Sequence, residues 1–187
     1  SLAYLIPALI WASLSTERTV ISTHTLTLQE QLIHKDIPRL IKLLTLNLKA
    51  VLVKGMNHYL CLRKIHDAQG ELNLFPNDDS ADIDKLELWS KTTVEGSRAE
   101  MPFIPSLSSW EIVGAESEAC SSNQWPYYRE CFFFKARREA QEAQILVVNH
   151  HLLFADLLKR SETNNYSETS ILPIYKRLIL DEAHHIE

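Results

Sequence analysis

Hydrophobic residues recur at both ends of the chain in runs that predict alternating helices and strands. An apolar segment with helical spacing opens the chain at residues 1–14. Further helices are predicted at residues 26–32, 37–48 and 136–144. Short β-branched or apolar runs predict strands at residues 19–22, 49–54, 145–148 and 178–180. Strands that alternate with helices indicate an α/β fold with a parallel sheet.

The middle of the chain lacks this regular alternation. Between residues 56 and 134 the periodicity weakens and turn-forming residues accumulate, with a helix predicted at residues 82–91. All three cysteines of the chain fall in this segment. Since the segment lies between two predicted strands, we interpret it as an insertion in the α/β domain. A second polar stretch, residues 160–170, is predicted to be a surface loop.

The last predicted strand ends on acidic side chains. The apolar run Leu178-Ile179-Leu180 is followed directly by Asp181-Glu182-Ala183-His184. A parallel strand delivers the residues after it to the carboxyl edge of the sheet, where open α/β folds bind ligands. Paired carboxylates there suit Mg²⁺ on nucleotide phosphates and an attacking water. A solvated acidic turn is the alternative, which we disfavour because a strand, two acids, a small residue and a histidine would all have to coincide.

These residues spell a DEAH box, and with it the chain resembles the first motor domain of a superfamily 2 helicase of the DinG/XPD-like branch. Four other blocks carry the resemblance in the family's order. They are Ser22-Thr23-His24-Thr25 with Leu28-Gln29-Glu30-Gln31-Leu32, Lys54-Gly55 with Asn57-His58-Tyr59-Leu60-Cys61, Cys131-Phe132-Phe133-Phe134-Lys135-Ala136-Arg137, and Val147-Val148-Asn149-His150-His151-Leu152. The first is similar to motif Ia, the second to the opening of the family's iron–sulfur domain, and the last two to the return to the motor domain.

The resemblance implies a P-loop NTPase fold, in which a RecA-like parallel sheet carries helices on both faces. Residues 1–55 and 136–187 would form part of the first motor domain, and residues 56–135 a small, mostly helical, cysteine-bearing insertion of the iron–sulfur type. The intact protein would couple ATP hydrolysis to 5′ to 3′ unwinding or translocation on single-stranded DNA, with a role in DNA repair. Single-stranded or forked DNA would be its partner, and a second motor domain would complete it.

The nucleotide site that the resemblance implies is incomplete in this sequence. Ser1 would be the last residue of the phosphate-binding loop, where its hydroxyl helps to hold Mg²⁺, but the glycines and the lysine of that loop are absent. We therefore expect the chain to be a fragment that does not hydrolyse ATP by itself. In the intact protein Asp181 would hold Mg²⁺ on ATP, and Glu182 would orient and deprotonate the attacking water. His184 would link the nucleotide state to the strand-binding surface.

The resemblance also implies that the cysteines bind a [4Fe–4S] cluster. The ligands in this chain would be Cys61, Cys120 and Cys131. The family uses a fourth cysteine, and its spacing places Trp125 at that position, where the side chain cannot bind iron. Three interpretations stay open: a cluster held by three thiolates, another metal such as zinc bound with His58 or His66, and buried thiols without a metal.

Candidate nucleic-acid contacts lie at two strand ends and at the end of the insertion. They are Thr23, His24 and Thr25, then Asn149 and His150, and finally Arg137 and Arg138. Hydroxyl groups and N–H groups at a helix start suit phosphate oxygens, and arginines bind the nucleic-acid backbone. Alternatively, Thr23 and Thr25 merely cap the next helix, and His150 is structural. We assign most of the neighbouring phenylalanines, residues 132–134, to a core.

Composition restricts the function classes. A net charge of −5 argues against a uniformly basic nucleic-acid coat, so any contact must come from local patches. The apolar run at residues 2–14 is about half a membrane span and lacks a basic leader, so we expect no membrane segment or signal peptide. Three cysteines favour a reducing cytoplasm over a secreted disulfide framework. A non-hydrolysing module that binds single-stranded nucleic acid, and a DEAH motor acting on RNA, remain alternatives.

Overall fold

The computed structural model describes residues 2–15, 17–74, 80–117 and 128–185. These residues divide into two units, one formed by Ser1–Lys54 with Arg138–Glu187 and the other by Gly55–Arg137. Helices α1 to α8 are Leu2–Leu14, Leu26–Gln31, Ile37–Leu43, Leu62–Leu74, Ser80–Ser90, Leu107–Val113, Phe132–Glu142 and His150–Thr163. Strands β1 to β4 are Thr19–Thr23, Ala50–Leu52, Ile145–Asn149 and Arg177–Leu180. All these strands belong to the first unit.

Within the described residues, the strands form one parallel sheet in the order β2-β3-β1-β4. At the centre, Thr23 of β1 pairs with Asn149 of β3, and Ser22 pairs with Leu180 of β4. The carboxyl ends of β1, β3 and β4 therefore lie side by side, at the kind of edge where open α/β folds bind ligands. The α/β fold with a parallel sheet, predicted from the alternation of helices and strands, is confirmed.

Helices cover both faces of the sheet. Ile145 and Val147 of β3 pack with α1 and α3 on one face, while Leu146 and Val148 pack with α8 on the other. All four side chains are fully buried. Burial on both faces explains why this strand is a continuous apolar run rather than an alternating one. The arrangement is consistent with the RecA-like P-loop fold that the resemblance implies.

The helices predicted separately at residues 26–32 and 37–48 form one continuous helical run. A π-helical turn, Leu32–Asp36, joins α2 to α3, and Ile37 N–H bonds to the carbonyl of Leu32. The wider turn lets the helix continue past Pro38, whose nitrogen has no proton to donate. The two predicted helices therefore correspond to α2 and α3, while the π-helical turn that joins them was not predicted.

The helical run also ends earlier than predicted, at Leu43. Thr45 follows with φ of 53°, in the left-handed region. Its N–H donates to the carbonyl of Lys42 at 3.3 Å, and the N–H of Leu46 donates to that of Ile41 at 2.9 Å. These two bonds form a Schellman motif, which closes a helix by satisfying its last carbonyls. The position that usually holds glycine in this motif is here a β-branched threonine.

Replacing Thr45 with glycine is expected to stabilise the chain by about 1 kcal/mol, because glycine adopts the left-handed conformation without strain. Urea unfolding followed by circular dichroism measures the change. Asn164, at the end of α8, has φ of 48° and is the matched control. Since asparagine tolerates this region, Asn164→Gly should change stability by much less. A Thr45→Gly variant less stable than the wild type would contradict this interpretation.

The second unit packs around an apolar core of its own. Its fully buried or nearly buried members include Leu60, Ile83, Leu86, Val113, Phe132 and Phe133. Gly96 has φ of 61°, and a Cβ at this position would lie 2.2 Å from the ring of Phe132. Only glycine therefore allows this ring to enter the core. The assignment of the phenylalanines to a core is confirmed for Phe132 and Phe133. Helix α7 begins at Phe132, before the predicted residue 136.

The predicted surface loop at residues 160–170 was wrong for its first residues. α8 continues to Thr163, and Arg160 is 3% exposed. Arg160 Nε donates to Asp156 Oδ2 at 2.6 Å, and both side chains of this ion pair are buried. A polar sequence suggested solvent, but the pairing of opposite charges one helical turn apart allows both groups to be buried.

This ion pair holds the segment that leads into β4. Arg160 donates to the carbonyls of Glu168 and Leu172 at 2.8 Å each, while Asp156 Oδ1 accepts from the N–H of Leu172 at 2.7 Å. The hydroxyl of Tyr175 donates to Asp156 Oδ2 at 3.3 Å. Burial, followed by the nearby Asp156 carboxylate, raises the pKa of Tyr175 to about 12, so this hydroxyl remains a donor at neutral pH. The path of the chain into β4 is thereby fixed.

Among the described residues, no helix combines the length and the apolar character needed to cross a membrane.

Candidate nucleotide and nucleic-acid site

The DEAH acids begin at the tip of β4. The N–H of Asp181 donates to the carbonyl of Ser22 at 2.8 Å, which extends the ladder between β4 and β1 by one residue. Asp181 Oδ2 accepts a hydrogen bond of 2.6 Å from the hydroxyl of Tyr4. Since Tyr4 lies in the first turn of α1, this carboxylate stands at the carboxyl edge of the sheet and beside the amino end of α1.

Glu182 leaves the strand in an unusual backbone conformation. Its φ is 58°, in the left-handed region, and a short 3₁₀ turn, Ala183–His185, follows. Such a conformation costs a non-glycine residue about 1–3 kcal/mol and is concentrated at functional sites. The Glu182 carboxylate is 3.7 Å from Nε2 of His184, and both side chains are substantially exposed. The second acid is therefore accessible to solvent and close to the histidine of the box.

The hydroxyl of Tyr4 is held in its protonated form. Burial raises the pKa of Tyr4 well above its usual range, and the hydrogen bond to Asp181 raises it further. The negative charges of Asp36 and Glu182 act in the same direction. Tyr4 is therefore a permanent hydrogen-bond donor to Asp181 at physiological pH.

The ends of β1 and β3 bring a second group of predicted residues together. Ser22 Oγ and His150 Nδ1 are 2.7 Å apart, and both residues are buried. The ring of His24 lies 6.1 Å from that of His150. Asn149 Oδ1 accepts from the N–H of Leu152 at 2.7 Å and so caps α8. The two strand ends thus bring their polar groups together beside the DEAH acids.

The three residues predicted at the end of β1 differ in their exposure. The Thr23 side chain is fully buried, whereas His24 and Thr25 are exposed. Thr25 caps α2, because its hydroxyl accepts from the N–H of Leu28 at 3.2 Å. A hydroxyl that accepts through one lone pair remains able to contact a phosphate group. Capping by Thr25 and contact with nucleic acid are therefore compatible.

Ser22 links the two parts of the site. Its carbonyl accepts from Asp181, and its hydroxyl bonds to His150. Sequence reasoning placed Ser22 in a motif without giving it a role, and it missed Tyr4 entirely. Tyr4 lies in an apolar helix, where a tyrosine resembles any other core residue. A polar tip on an apolar stripe was the signal that could have identified it.

The two arginines at the end of the insertion have different surroundings. The guanidinium of Arg137 lies over the ring of Phe133, 4.8 Å from its centre, which fixes one face of the cation. Arg138 is exposed. A fixed cation and an exposed one next to each other on α7 are suited to a phosphate backbone.

The cysteine positions do not form a complete cluster site in the described residues. Cys61 is buried and precedes α4, while Cys131 is half-buried and precedes α7, and both pack in the core of the second unit. Cys120 and Trp125 lie outside the described residues, as does Ser1. Among the residues described, no group of three or more histidine, cysteine, aspartate or glutamate side chains could hold a metal. With three cysteines in the sequence, the donor set is one thiolate short of the family pattern.

Comparison with known proteins identifies relatives along the whole chain, although no protein-family model matches it. DinG of Mycobacterium tuberculosis (strain H37Rv), named an ATP-dependent helicase, is 36% identical over 204 residues, covering 100% of this chain and 30% of that protein. YoaA of Haemophilus influenzae, named an ATP-dependent DNA helicase, is 34% identical over 191 residues, covering 98% and 28%. DinG of Escherichia coli, also named an ATP-dependent DNA helicase, is 30% identical over 203 residues, covering 100% and 27%.

The chain thus spans less than a third of the length of these curated relatives. The similarity extends from its first helix to the DEAH acids and includes every block that carried the resemblance. On these grounds the chain is similar, along its whole length, to helicases named DinG and YoaA.

Proposed function

We propose that the full-length protein is an ATP-dependent DNA helicase whose first motor domain includes residues 1–55 and 136–187. One observation carries the proposal. The Asp181 carboxylate stands at the carboxyl edge of the sheet and is hydrogen-bonded to Tyr4 at the amino end of α1. In P-loop NTPases this place is occupied by the phosphates of the nucleotide and their metal. The names of the relatives support ATP as the fuel and DNA as the substrate.

The residues of the site are suited to phosphoryl transfer, which depends on positioning and charge neutralisation. When bound with ATP, Mg²⁺ neutralises charge on the phosphates. Asp181 would hold this ion together with the hydroxyl of Ser1. Glu182 would orient the attacking water and take its proton. His184, close to Glu182, would transmit the nucleotide state to the strand-binding surface.

We assign nucleic-acid contacts to two separate places, the ends of β1 and β3 and the arginines of α7. His24, Thr25, Arg137 and Arg138 would contact the backbone of single-stranded DNA. Because Thr23 is buried, we assign it the role of supporting the turn that exposes His24 and Thr25. Asn149 and His150 would shape the surface from β3, with Ser22 linking His150 to Asp181. Through Ser22, the binding of nucleotide and the binding of DNA could each affect the other.

The insertion, residues 56–135, is assigned to the iron–sulfur domain of the family. A [4Fe–4S] cluster here would take Cys61, Cys120 and Cys131 as ligands and would need a non-thiolate ligand for its fourth iron. We place the protein in the cytoplasm, where thiols stay reduced. We also propose that it acts in DNA repair. Iron and sulfide analysis of an anaerobic preparation tests the cluster. An iron-free sample would show that no cluster is bound, and the assignment of the motor domain would stand.

The helicase proposal is tested by substrate-dependent activity of the full-length protein. Single-stranded DNA is expected to stimulate ATP hydrolysis more than single-stranded RNA, and duplexes with a 5′ single-stranded tail are expected to be unwound. Binding of DNA without any ATP hydrolysis would instead identify a non-hydrolysing binding module. Preferential stimulation by RNA would identify an RNA-directed motor. Either result would overturn the proposal.

A further inference from the structure

Tyr4 connects the opening helix to the first acid of the DEAH box, and no motif assigns it a role. We propose that Tyr4 is a positioning residue that holds the Asp181 carboxylate in the orientation needed for a divalent metal. The inference rests on the proposed function, because it concerns the metal that accompanies ATP.

Both ends of the Tyr4–Asp181 hydrogen bond are anchored by different parts of the fold. The ring of Tyr4 packs against the core that contains Leu5 and Leu9, both fully buried. The backbone of Asp181 is bonded to Ser22 of β1 at 2.8 Å. A hydroxyl fixed by its ring therefore meets a carboxylate fixed by its main chain. The bond of 2.6 Å is in the short range of charge-assisted hydrogen bonds, which are about twice as strong as neutral ones.

This bond leaves the two carboxylate oxygens in different states. Oδ2 accepts from Tyr4, whereas Oδ1 makes no hydrogen bond or ion pair within the part of the chain that the structure describes. A carboxylate with one oxygen fixed cannot rotate freely, so the other oxygen is presented in one orientation. Removing a hydrogen-bond partner that fixes a metal ligand in this way typically lowers the affinity for the metal by about 10- to 100-fold.

A purely structural role for Tyr4 is distinguishable from a positioning role. If the bond only tied α1 to β4, its loss would lower thermal stability and leave metal affinity unchanged. If it positions Asp181, its loss lowers metal affinity even in a variant that melts at the wild-type temperature. Tyr4→Phe is suited to this distinction, because it keeps the packed ring and removes only the hydroxyl.

The experiment measures Mn²⁺ binding to the full-length protein in the presence of a non-hydrolysable ATP analogue, using the paramagnetic resonance signal of free Mn²⁺. Tyr4→Phe is expected to bind Mn²⁺ about 10-fold more weakly than the wild type. Tyr166→Phe is the matched control, since Tyr166 is 56% exposed in the segment between α8 and β4. It should bind Mn²⁺ as the wild type does. Melting curves of all three proteins accompany the titrations.

Each outcome decides the inference. Equal Mn²⁺ affinity in the wild type and Tyr4→Phe would overturn it, whether or not the melting temperature falls, while the proposed function would stand. A wild-type protein that binds the analogue with no Mn²⁺ would overturn the proposed function itself, and the role of Tyr4 with it.

Discussion

Replacing Glu182 with glutamine in the full-length protein is expected to lower ATP turnover by about 10²- to 10⁴-fold, the range supplied by a positioned general base. Glutamine has nearly the same shape as glutamate but does not accept a proton. Binding of nucleotide and single-stranded DNA should therefore persist. The reason lies in the geometry of the site: Glu182 follows the fixed Asp181 and is held in a left-handed conformation at the sheet's edge.

Steady-state ATPase assays with saturating single-stranded DNA measure this effect, and equilibrium binding of a fluorescent nucleotide measures what is retained. Glu162→Gln is a matched control, because Glu162 is an exposed residue on α8. It should hydrolyse ATP at the wild-type rate. Wild-type turnover by Glu182→Gln would show that another group activates the water.

Replacing Arg160 with methionine is expected to lower the free energy of unfolding by about 3–5 kcal/mol, the usual cost of leaving one member of a buried ion pair without its partner. The change removes the ion pair to Asp156, which is fully buried. It also removes the hydrogen bonds to the carbonyls of Glu168 and Leu172. Methionine fills a similar volume, so the loss reflects polar groups rather than a cavity.

Urea unfolding of the chain, followed by circular dichroism, measures this loss. Lys159→Met is the control, since Lys159 precedes Arg160 on α8 and is exposed. It should change stability by less than about 0.5 kcal/mol, as substitutions on the surface usually do. Similar stabilities for the two variants would show that the buried pair does not hold the segment before β4.

The sheet and its ligand edge could be predicted from the sequence because they depend on local signals. Apolar runs of strand length, separated by helical segments, gave the strands, and the parallel arrangement then placed the residues after each strand at one edge. The bond of Asp181 to Ser22 is a direct consequence of that arrangement. The motifs added the resemblance to DinG-like helicases, which the similarity to DinG and YoaA supports.

Sequence reasoning missed the contacts made by the polar atoms of Arg160 and Tyr4. The sequence pattern suggests solvent exposure for the first residue and core packing for the second. Arg160 stands in a polar run that predicts solvent exposure, but its carbonyl partners lie in the segment that follows α8 and keep it buried. A signal was present: Asp156 interrupts an apolar helix four residues before Arg160. The sequence gave a weaker signal for the contact of Tyr4, since its partner Asp181 is 177 positions away in sequence.

The helix ends were misjudged for a different reason. The end of α3 is set by the left-handed conformation of Thr45, a residue type that seldom adopts it. No propensity scale marks threonine as a helix stop of this kind. The π-turn before Pro38 lets the helical run continue past a proline, and the sequence pattern gave no sign of such a turn.

We propose that the acids after β4 and the amino end of α1 form the metal–nucleotide site. Crystals of the full-length protein with Mn²⁺ and a non-hydrolysable ATP analogue test it through the anomalous signal of manganese. The manganese peak is expected about 2 Å from a carboxylate oxygen of Asp181, or about 4 Å away through one bound water. A nucleotide-bound manganese that is remote from Asp181 would contradict it.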